Sequence, residues 1–366
     1  MKIAVFHELP PGGARKSVNE LAVEFKKRHI VDLYYTDSKI NNTEKKFYTN
    51  TFFYKFVPKL WKGKNWKVRL YKDTIELYKN YKLHKIIAKD IHQRNYDIVF
   101  INASKFIESP FLLRFPNKNK VFYCHDPYYR LVYEPENTFP KNINKLNYFY
   151  EKVNRYIRKI IDKQNIGRSN YRIANSKIAA KMFNKAYGLV CDVSYLGVDA
   201  DFYRPAKGKK QIDVLFIGSR DKIDGFDTFE KTLGLIKNKV QIKTVLKEDG
   251  WLDNAEMVRL YQKSKIVIAL ARSEPFGLIP IEAMACGVPV IAVNEGGYRE
   301  SIITNKTGYL IPRNPKIIAE KIDFLLNDTH EREKLGKNAR EESLTNWSWK
   351  VKAKELEKLL KLYIDE

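Results

Sequence analysis

The chain has 366 residues and a formal net charge of +24, from 67 Lys and Arg against 43 Asp and Glu. This length suggests two domains, and 44% hydrophobic with 30% charged residues argues against a disordered chain. The longest apolar runs, such as residues 266–271, are about six residues long, whereas a membrane-spanning helix needs about 18 to 20, so we expect none.

The positive charge lies almost entirely in the first half of the chain. Residues 1–200 hold 38 Lys and Arg against 18 Asp and Glu, whereas residues 201–366 hold 29 against 25. Such an excess favours an anionic partner: nucleic acid, an anionic membrane surface or a phosphorylated substrate.

The cysteines and the N-terminus indicate the compartment. Cys124, Cys191 and Cys286 are far apart and form no Cys-x-x-Cys pair, so we expect no disulfide framework and no metal site. The apolar start of the chain turns polar at His7, which argues against a signal peptide. We expect a cytoplasmic protein, either free or peripheral at the inner face of the membrane.

In the first half, short β-branched runs alternate with longer helical patterns, which indicates βαβ units and a parallel sheet. Residues 41–66 read as an irregular aromatic and basic region. The predicted strands are 2–7, 30–35, 97–101, 120–124 and 171–174. The predicted helices are 15–28, 66–94, 142–165 and one that ends at 186.

A second alternation follows a break at 196–210, where Gly, Pro and a charge run indicate a linker. Its predicted strands are 212–217, 240–246, 266–270 and 288–293, and an amphipathic helix follows at 347–364. Both halves open with a strand, a Gly-containing turn and a helix. This plan predicts two doubly wound domains with a ligand cleft at the carboxyl ends of the strands.

Residues 273–300 carry the densest signal for chemistry. Glu274 follows a predicted strand at its carboxyl end, and the predicted helix 278–285 begins directly after a tight loop. The free N–H groups at the start of such a helix suit a phosphate. Glu282 lies about two turns into this helix, and Gly287 ends it.

Glu274 and Glu282, separated by seven residues, resemble the E-x7-E motif of the GT-B-fold retaining glycosyltransferases of family 4. Three further segments resemble signatures of that family: the linker Leu196-Gly-Val-Asp199 with Phe202 and Pro205, the loop Gly296-Gly297 with Glu300, and Gly12-Gly13 after the first strand. The resemblance is strong over 196–311 and weaker over 1–195.

The resemblance implies an α/β protein of the GT-B class, with two Rossmann-like domains facing across a cleft. Residues 1–198 would bind the acceptor, 199–345 would bind the nucleotide sugar, and a helix within 346–366 would cross back to the N-terminal domain. The activity implied is retaining transfer of a hexose from a UDP- or GDP-sugar to a hydroxyl of a glycan or lipid-linked acceptor. The resemblance calls for no cofactor and no protein-bound metal.

The resemblance also implies roles for individual residues. Glu282 would bind the ribose hydroxyls, and Glu274 would contact hydroxyls of the transferred sugar. His125, at a strand end, would act near the reacting carbon, and Asp126 would orient it or touch the acceptor. Glu274 and His125 are the catalytic candidates. The implied donor-binding residues are Gly12, Gly13, Arg220, Lys222, Pro275, Phe276, Gly277, Leu278 and Glu282.

The loop 218–225 departs from the family pattern. The family clamps the pyrophosphate here with an Arg and a Lys, and Arg220 is a reasonable match for the first. The position before Gly225, normally Lys, is Asp224. Either Lys222 substitutes from two residues earlier, or the clamp is weaker. Asp199-Ala-Asp201 spells a metal-binding pattern of a different glycosyltransferase fold, but it lies in the linker, so we expect no metal there.

The basic excess leaves the partner open. Residues 45–89 hold 13 Lys and Arg with only Asp73 and Glu76 as acids, interleaved with aromatic residues. This pattern suits a lipid headgroup boundary, stacked single-stranded nucleic acid, or a solvated basic face over an aromatic core. We favour a membrane or an anionic lipid-linked acceptor over nucleic acid. Basic residues of the helix 142–165 could extend that surface; they are Lys145, Lys152, Arg155, Arg158 and Lys159.

Two other functions stay open at this point. One is a GT-B-related sugar-nucleotide epimerase, which needs no acceptor. The other is a basic binding module for nucleic acid or membrane, built on a glycosyltransferase scaffold that has lost its activity. The departure at Asp224 favours this alternative.

Overall fold

The computed structural model describes residues 1–36, 40–56, 70–104, 106–125, 144–250 and 252–365. These residues form two compact units. The first comprises Met1–Asn175, Ala179–Ser194 and Glu355–Glu366, and the second comprises Ser176–Ile178 and Tyr195–Lys354.

The first unit is built on a seven-stranded sheet in which all neighbouring strands are parallel. Along the sheet the order is β3-β2-β1-β4-β5-β6-β7. The strands are β1 Lys2–Glu8, β2 Ile30–Tyr35, β3 Asn50–Phe53, β4 Ile98–Ser104, β5 Lys120–Cys124, β6 Tyr171–Ala174 and β7 Asp192–Val193. The central strands β1, β4 and β5 are buried on both faces, as expected of a parallel sheet covered by helices.

The described helices of this unit are α1 Gly13–Lys26, α2 Asn42–Lys45, α3 Leu77–Gln93, α4 Lys145–Ile166 and α5 Lys177–Tyr187. A π-helical turn, Lys72–Glu76, leads into α3. Part of the helix predicted from residue 66 lies outside the described residues. The Asn144 side chain caps α4 by accepting the Asn147 N–H at 2.8 Å.

The short edge strand β3 lies inside the region that the sequence predicts to be irregular. It pairs with β2, and Asp32 fixes its start by accepting hydrogen bonds from the main chain and the side chain of Asn50. Four residues are too few to show an alternating pattern, so this pairing depends on distant residues that local sequence does not reveal.

The second unit contains a five-stranded parallel sheet of order β12-β11-β10-β8-β9. Its strands are β8 Ile212–Gly218, β9 Ile242–Leu246, β10 Ser264–Ala269, β11 Val290–Val293 and β12 Gly308–Ile311. Its helices are α6 Phe226–Leu233, α7 Asn254–Lys263, α8 Leu278–Ala285, α9 Tyr298–Ser301, α10 Pro315–Asn327 and α11 Thr329–Glu342. The two parallel sheets with flanking helices confirm the predicted pair of Rossmann-like domains.

The last helix, α12 Trp349–Asp365, contributes to both units. In the second unit, main-chain hydrogen bonds join Val198 to Trp347 and Trp349. In the first unit, Tyr363 stacks on Tyr171 with ring centroids 3.8 Å apart.

Candidate functional site

Each sheet has one point where the order of successive strands reverses. In the first sheet it lies between β1 and β4, and in the second between β8 and β10. The loops that leave the carboxyl ends of two such strands diverge to opposite faces, which leaves a crevice for ligand between them. The candidate residues follow these strands: Gly12 and Gly13 after β1, Arg220 and Lys222 after β8, and Glu274 after β10.

In the C-terminal domain, the loops after β8 and β10 are tied to each other. The Arg272 main-chain N–H donates to the Ile223 carbonyl at 2.6 Å, and the Arg272 Nε donates to the Lys222 carbonyl at 2.9 Å. Gly225 has φ +79° and lies so close to Leu270 that a β-carbon would meet the Leu270 carbonyl. The position of the Glu274 segment therefore depends on the loop after β8.

The Glu274 loop also packs directly on the Gly296-Gly297 loop. The Gly297 N–H donates to the Glu274 carbonyl at 2.8 Å. A β-carbon on Gly296, at φ +55°, would meet the Glu274 backbone, and one on Gly297 would meet Pro275 and Phe276. These contacts require glycine at both positions.

Glu274 is half-buried, and its charge acts on the buried Tyr298. Burial, and then the negative charge of Glu274, raise the pKa of Tyr298 well above 10. Arg313 pairs with Glu295 at 2.7 Å and donates to the Leu270 carbonyl, also at 2.7 Å, at the end of β10. Arg313 thus neutralises Glu295 and holds the strand end from which Glu274 follows.

Glu282 is buried in α8 and accepts a hydrogen bond from the Tyr261 hydroxyl at 2.9 Å. Burial, and then the charge of Glu282, raise the pKa of Cys286 to about 12. The same two causes raise the pKa of Tyr261 well above 10. A carboxylate can accept more than one hydrogen bond, as binding of a diol requires.

The segment between the two carboxylates is mostly buried. The Phe276 ring is buried and packs near Tyr195 and Trp347, at centroid distances of 6.0 and 5.6 Å. The Pro275 carbonyl accepts the Ser176 hydroxyl at 2.5 Å. Gly277, at φ +90°, precedes the first residue of α8, Leu278. The first N–H groups of α8 therefore follow this loop directly.

The two candidate cations of the loop after β8 are both exposed. The Arg220 side chain contacts Asp249 at 3.5 Å and lies 5.8 Å from the Phe226 ring centroid. Asp224, at the departure from the family pattern, accepts the Ser219 hydroxyl at 2.5 Å. The long, exposed contact with Asp249 engages one nitrogen of Arg220 and leaves other N–H donors of the guanidinium for a phosphate.

In the N-terminal domain, a buried carboxylate lies where β1 ends. Glu8 accepts the Thr36 hydroxyl at 2.7 Å, lies 3.3 Å from His84 Nε2 and bonds the Ser104 hydroxyl. Burial alone would raise the pKa of Glu8, but the charge and hydrogen bond of His84, with the two hydroxyls, lower it below its usual range. This cluster fixes the strand from which the Gly12-Gly13 loop departs.

Gly12 has φ +152°, and apart from its chain neighbours no atom of the described residues lies within 4 Å of where its β-carbon would be. Its carbonyl accepts the Lys16 N–H in the first turn of α1, which begins at Gly13. A side chain at this position would therefore meet no described neighbour, and the first turn of α1 follows directly.

His125 is buried at the end of β5, and burial lowers its pKa to about 3. The Asn102 amide nitrogen donates to the Phe6 carbonyl, so its oxygen faces His125 Nε2 at 3.0 Å. His125 Nε2 therefore carries the proton, and Nδ1 is a bare acceptor. This buried Nδ1 has no hydrogen-bond partner among the described residues.

Several sequence predictions concern residues outside this site or outside the described part of the chain. Asp126 and residues 57–69, with much of the aromatic basic segment, lie outside the described residues. The Asp199 side chain accepts the N–H groups of Asp201 and Phe202 and so caps a turn. Within the described residues, no group of three or more His, Cys, Asp and Glu side chains is placed to hold a metal ion.

Sequence reasoning missed Arg272, Tyr298 and Arg313, because each acts through residues distant in the chain. The Gly-Gly-x-x-Glu pattern identified Glu300 as a residue of interest, but it did not predict what Glu300 binds. Glu300 accepts the N–H groups of Lys177 and Ile178 at 2.9 Å and the Tyr195 hydroxyl at 2.8 Å, so it caps the start of α5.

The paired Rossmann-like domains define the GT-B class of glycosyltransferase folds. The crystal structure of Anabaena HepE in complex with UDP and glucose aligns with a TM-score of 0.71 at 20% identity over 99% of both chains. Sucrose-phosphate synthase from Thermosynechococcus elongatus aligns with a TM-score of 0.71 at 16% identity, over 99% of this chain and 98% of the other.

The sequence assigns the chain within this class. The family model described as Glycosyltransferase Family 4 matches residues 11–202, and the model described as Glycosyl transferases group 1 matches residues 205–342. The chain belongs to glycosyltransferase family 4.

Curated relatives match over shorter stretches. Spore coat protein SA of Bacillus subtilis is 40% identical over 30% of this chain and 29% of its own length. The alpha-1,3/1,6-mannosyltransferase ALG2 of Dictyostelium discoideum is 31% identical over 42% of this chain and 37% of its own. The chain thus spans about a third of the length of these relatives.

Proposed function

We propose that this protein is a retaining glycosyltransferase that moves a sugar from a nucleoside-diphosphate sugar to an acceptor hydroxyl. The observation that carries the proposal is the pair Glu274 and Glu282, held by a glycine-locked loop and helix where β10 ends at the reversal point of its sheet. One carboxylate is buried and the other half-buried.

The donor is assigned to the C-terminal domain. Glu282 accepts hydrogen bonds from the ribose hydroxyls, and Tyr261 holds it in place. Glu274 accepts from hydroxyls of the transferred sugar, and the backbone of 276–278 binds the diphosphate at the start of α8. Arg220 and Lys222 add positive charge. UDP-glucose is the first donor to test, because the HepE structure with a similar fold is a complex with UDP-glucose.

His125 takes part as a neutral hydrogen-bond acceptor. Its pKa of about 3 keeps it uncharged near neutral pH, and Nδ1 accepts from a hydroxyl of the sugar. It therefore orients the sugar and does not supply a proton.

The reaction breaks the bond between the anomeric carbon and the diphosphate oxygen and forms a bond to the acceptor oxygen on the same face. The acceptor proton passes to the departing diphosphate. The cations and the helix start stabilise the charge that develops on that leaving group. The N-terminal domain binds the acceptor, a glycan or a lipid-linked sugar, with Asp126 as the acceptor contact, and Gly12 and Gly13 serve donor binding.

Turnover with a panel of UDP- and GDP-sugars tests this proposal. We expect release of nucleoside diphosphate that depends on acceptor, and a product whose anomeric proton shows, by NMR, the configuration of the donor. Inverted configuration would overturn the retaining assignment. A changed sugar nucleotide without any acceptor would instead identify an epimerase.

Variants of the site provide the controls. Glu282→Ala and His125→Ala should each lower turnover by at least about a hundredfold, since each loses contacts that position the donor. Glu320→Gln alters an exposed carboxylate on α10 and should turn over as the wild type does. Full activity in Glu282→Ala would contradict the site.

A further inference from the structure

The helix α4, Lys145–Ile166, buries mainly polar residues and exposes apolar ones, the reverse of the usual arrangement. Its buried residues are mostly polar or charged and include Glu151, Asp162 and Asn165. Asp162 accepts from the main chain and the hydroxyl of Ser109, and the Asn165 amide donates to the Ser109 carbonyl. These bonds hold the last turns of the inner face through polar contacts, beside the buried Ile166.

The apolar residues of α4 lie on the outside instead. Leu146 is 83% exposed, Phe149 68% and Tyr156 66%. With three further exposed residues they form a set that we name the outer stripe: Leu146, Phe149, Val153, Tyr156, Ile157 and Ile160. At about 100° per residue, these six fall within a sector about 100° wide, opposite the buried polar residues. Such a stripe requires an apolar partner.

Positive charge runs along one edge of the outer stripe. Lys145, Lys152 and Lys163 are exposed and share a sector next to Tyr156 on the helical wheel. The two acids of the helix, Glu151 and Asp162, both lie on the opposite, buried side. A cationic edge beside an apolar face, with no exposed acid in this helix, complements anionic headgroups over acyl chains.

We propose that the outer stripe of α4 binds the surface of an anionic lipid membrane, with its apolar side chains at the headgroup boundary and the three lysines on lipid phosphates. The helix lies parallel to the surface. No helix among the described residues is long and apolar enough to cross a membrane. Membrane binding by this helix does not depend on the proposed catalytic activity and can be measured in its absence.

Co-sedimentation with vesicles tests it. We expect binding to phosphatidylcholine vesicles that contain phosphatidylglycerol, and binding at least about tenfold weaker to phosphatidylcholine alone. F149S/I157S should weaken binding to the anionic vesicles by at least about tenfold, because two inserted apolar side chains are lost. K152Q/K163Q should weaken it by about fivefold for each lysine.

The matched control is V190S/L235S, which removes two exposed apolar residues from outside α4. It should bind as the wild type does, and all variants should keep the wild-type unfolding midpoint. Unchanged vesicle binding by F149S/I157S, or no binding by the wild type, would overturn the proposal. A wild-type dimer in light scattering that F149S/I157S dissociates would also overturn it and assign the stripe to self-association. Nucleoside diphosphate release, measured without vesicles, reports separately on the catalytic proposal.

Discussion

At the scale of single residues, the partners of Glu274 and Glu282 come from distant parts of the chain. The spacing of Glu274 and Glu282 sets their places on a loop and a helix, because both depend on a few neighbouring residues. That Glu282 is held by Tyr261, 21 residues away, or that Glu274 lies beside Tyr298, depends on strand order and could not be predicted. For Arg220 and Lys222, the family resemblance suggested a clamp, but their exposure and the contact of Arg220 with Asp249 depend on distant loops.

His125 gives a prediction at this scale. Its pKa is about 3 in the folded state because of burial and about 6.5 when unfolded, so the unfolded state binds the proton first as pH falls. The contribution of this group to stability is complete above about pH 7 and declines below about pH 6.5. When the pH falls from about 7.5 to about 5.5, this group lowers the free energy of unfolding by about 1.4 kcal/mol.

His125→Gln should remove that part of the pH dependence, as measured by urea unfolding of both proteins at the two pH values. Each protein is compared with itself across pH, so a constant effect of the substitution on stability cancels. A constant offset between the two proteins, with equal dependence on pH, would contradict the burial argument.

At the scale of elements, the sequence predicted the strands that are long and buried, since continuous apolar runs identify them. β2, β5 and β6 have the predicted bounds, whereas the short strands β3, β7 and β12 were missed. Those three form through pairing with a neighbour, and too few residues carry a pattern. The Gly-Gly loop was recognised, but its contact with the Glu274 loop required the structure.

That contact makes Gly296 sensitive to substitution. Gly296→Ala forces a β-carbon against the Glu274 backbone at positive φ. Gly188→Ala has a similar φ of +70°, but apart from chain neighbours no atom in the described part of the chain lies within 4 Å of its β-carbon. We expect Gly188→Ala to cost about 1 kcal/mol and Gly296→Ala at least about 2 kcal/mol more.

Gly296→Ala should also weaken nucleotide-sugar binding, since the Glu274 segment must shift, while Gly188→Ala should leave it unchanged. Thermal unfolding and calorimetric titration measure the two effects. Equal stability and equal affinity for the two variants would show that the close packing of these loops is not required.

At the scale of the whole molecule, composition predicted two domains and an uneven charge, and alternation predicted their parallel sheets. Residues 1–200 hold 38 basic and 18 acidic residues, whereas the two kinds are nearly equal in number in the half that we assign to the donor. What composition could not predict is the outward apolar stripe of α4, because a helical period does not reveal which face is buried.

This distribution predicts different salt responses for the two proposed partners. Between about 50 and 300 mM salt, donor affinity should fall by no more than about fivefold, whereas vesicle binding should fall by at least about tenfold. Titrations of donor and of vesicles across this range measure both. If donor affinity falls as steeply as vesicle binding, the donor phosphates bind the basic surface of residues 1–200 instead of a few local cations.

The most direct test of the central claim, that the C-terminal domain binds a nucleotide sugar through the two carboxylates, is calorimetric titration of UDP and GDP into the intact protein. We predict that one nucleotide binds and that Glu282→Gln weakens it by about 10- to 100-fold, as expected for loss of charged hydrogen bonds. Glu320→Gln should bind as the wild type does. Equal affinity in Glu282→Gln and the wild type, or no binding of either nucleotide to the wild type, would contradict the account.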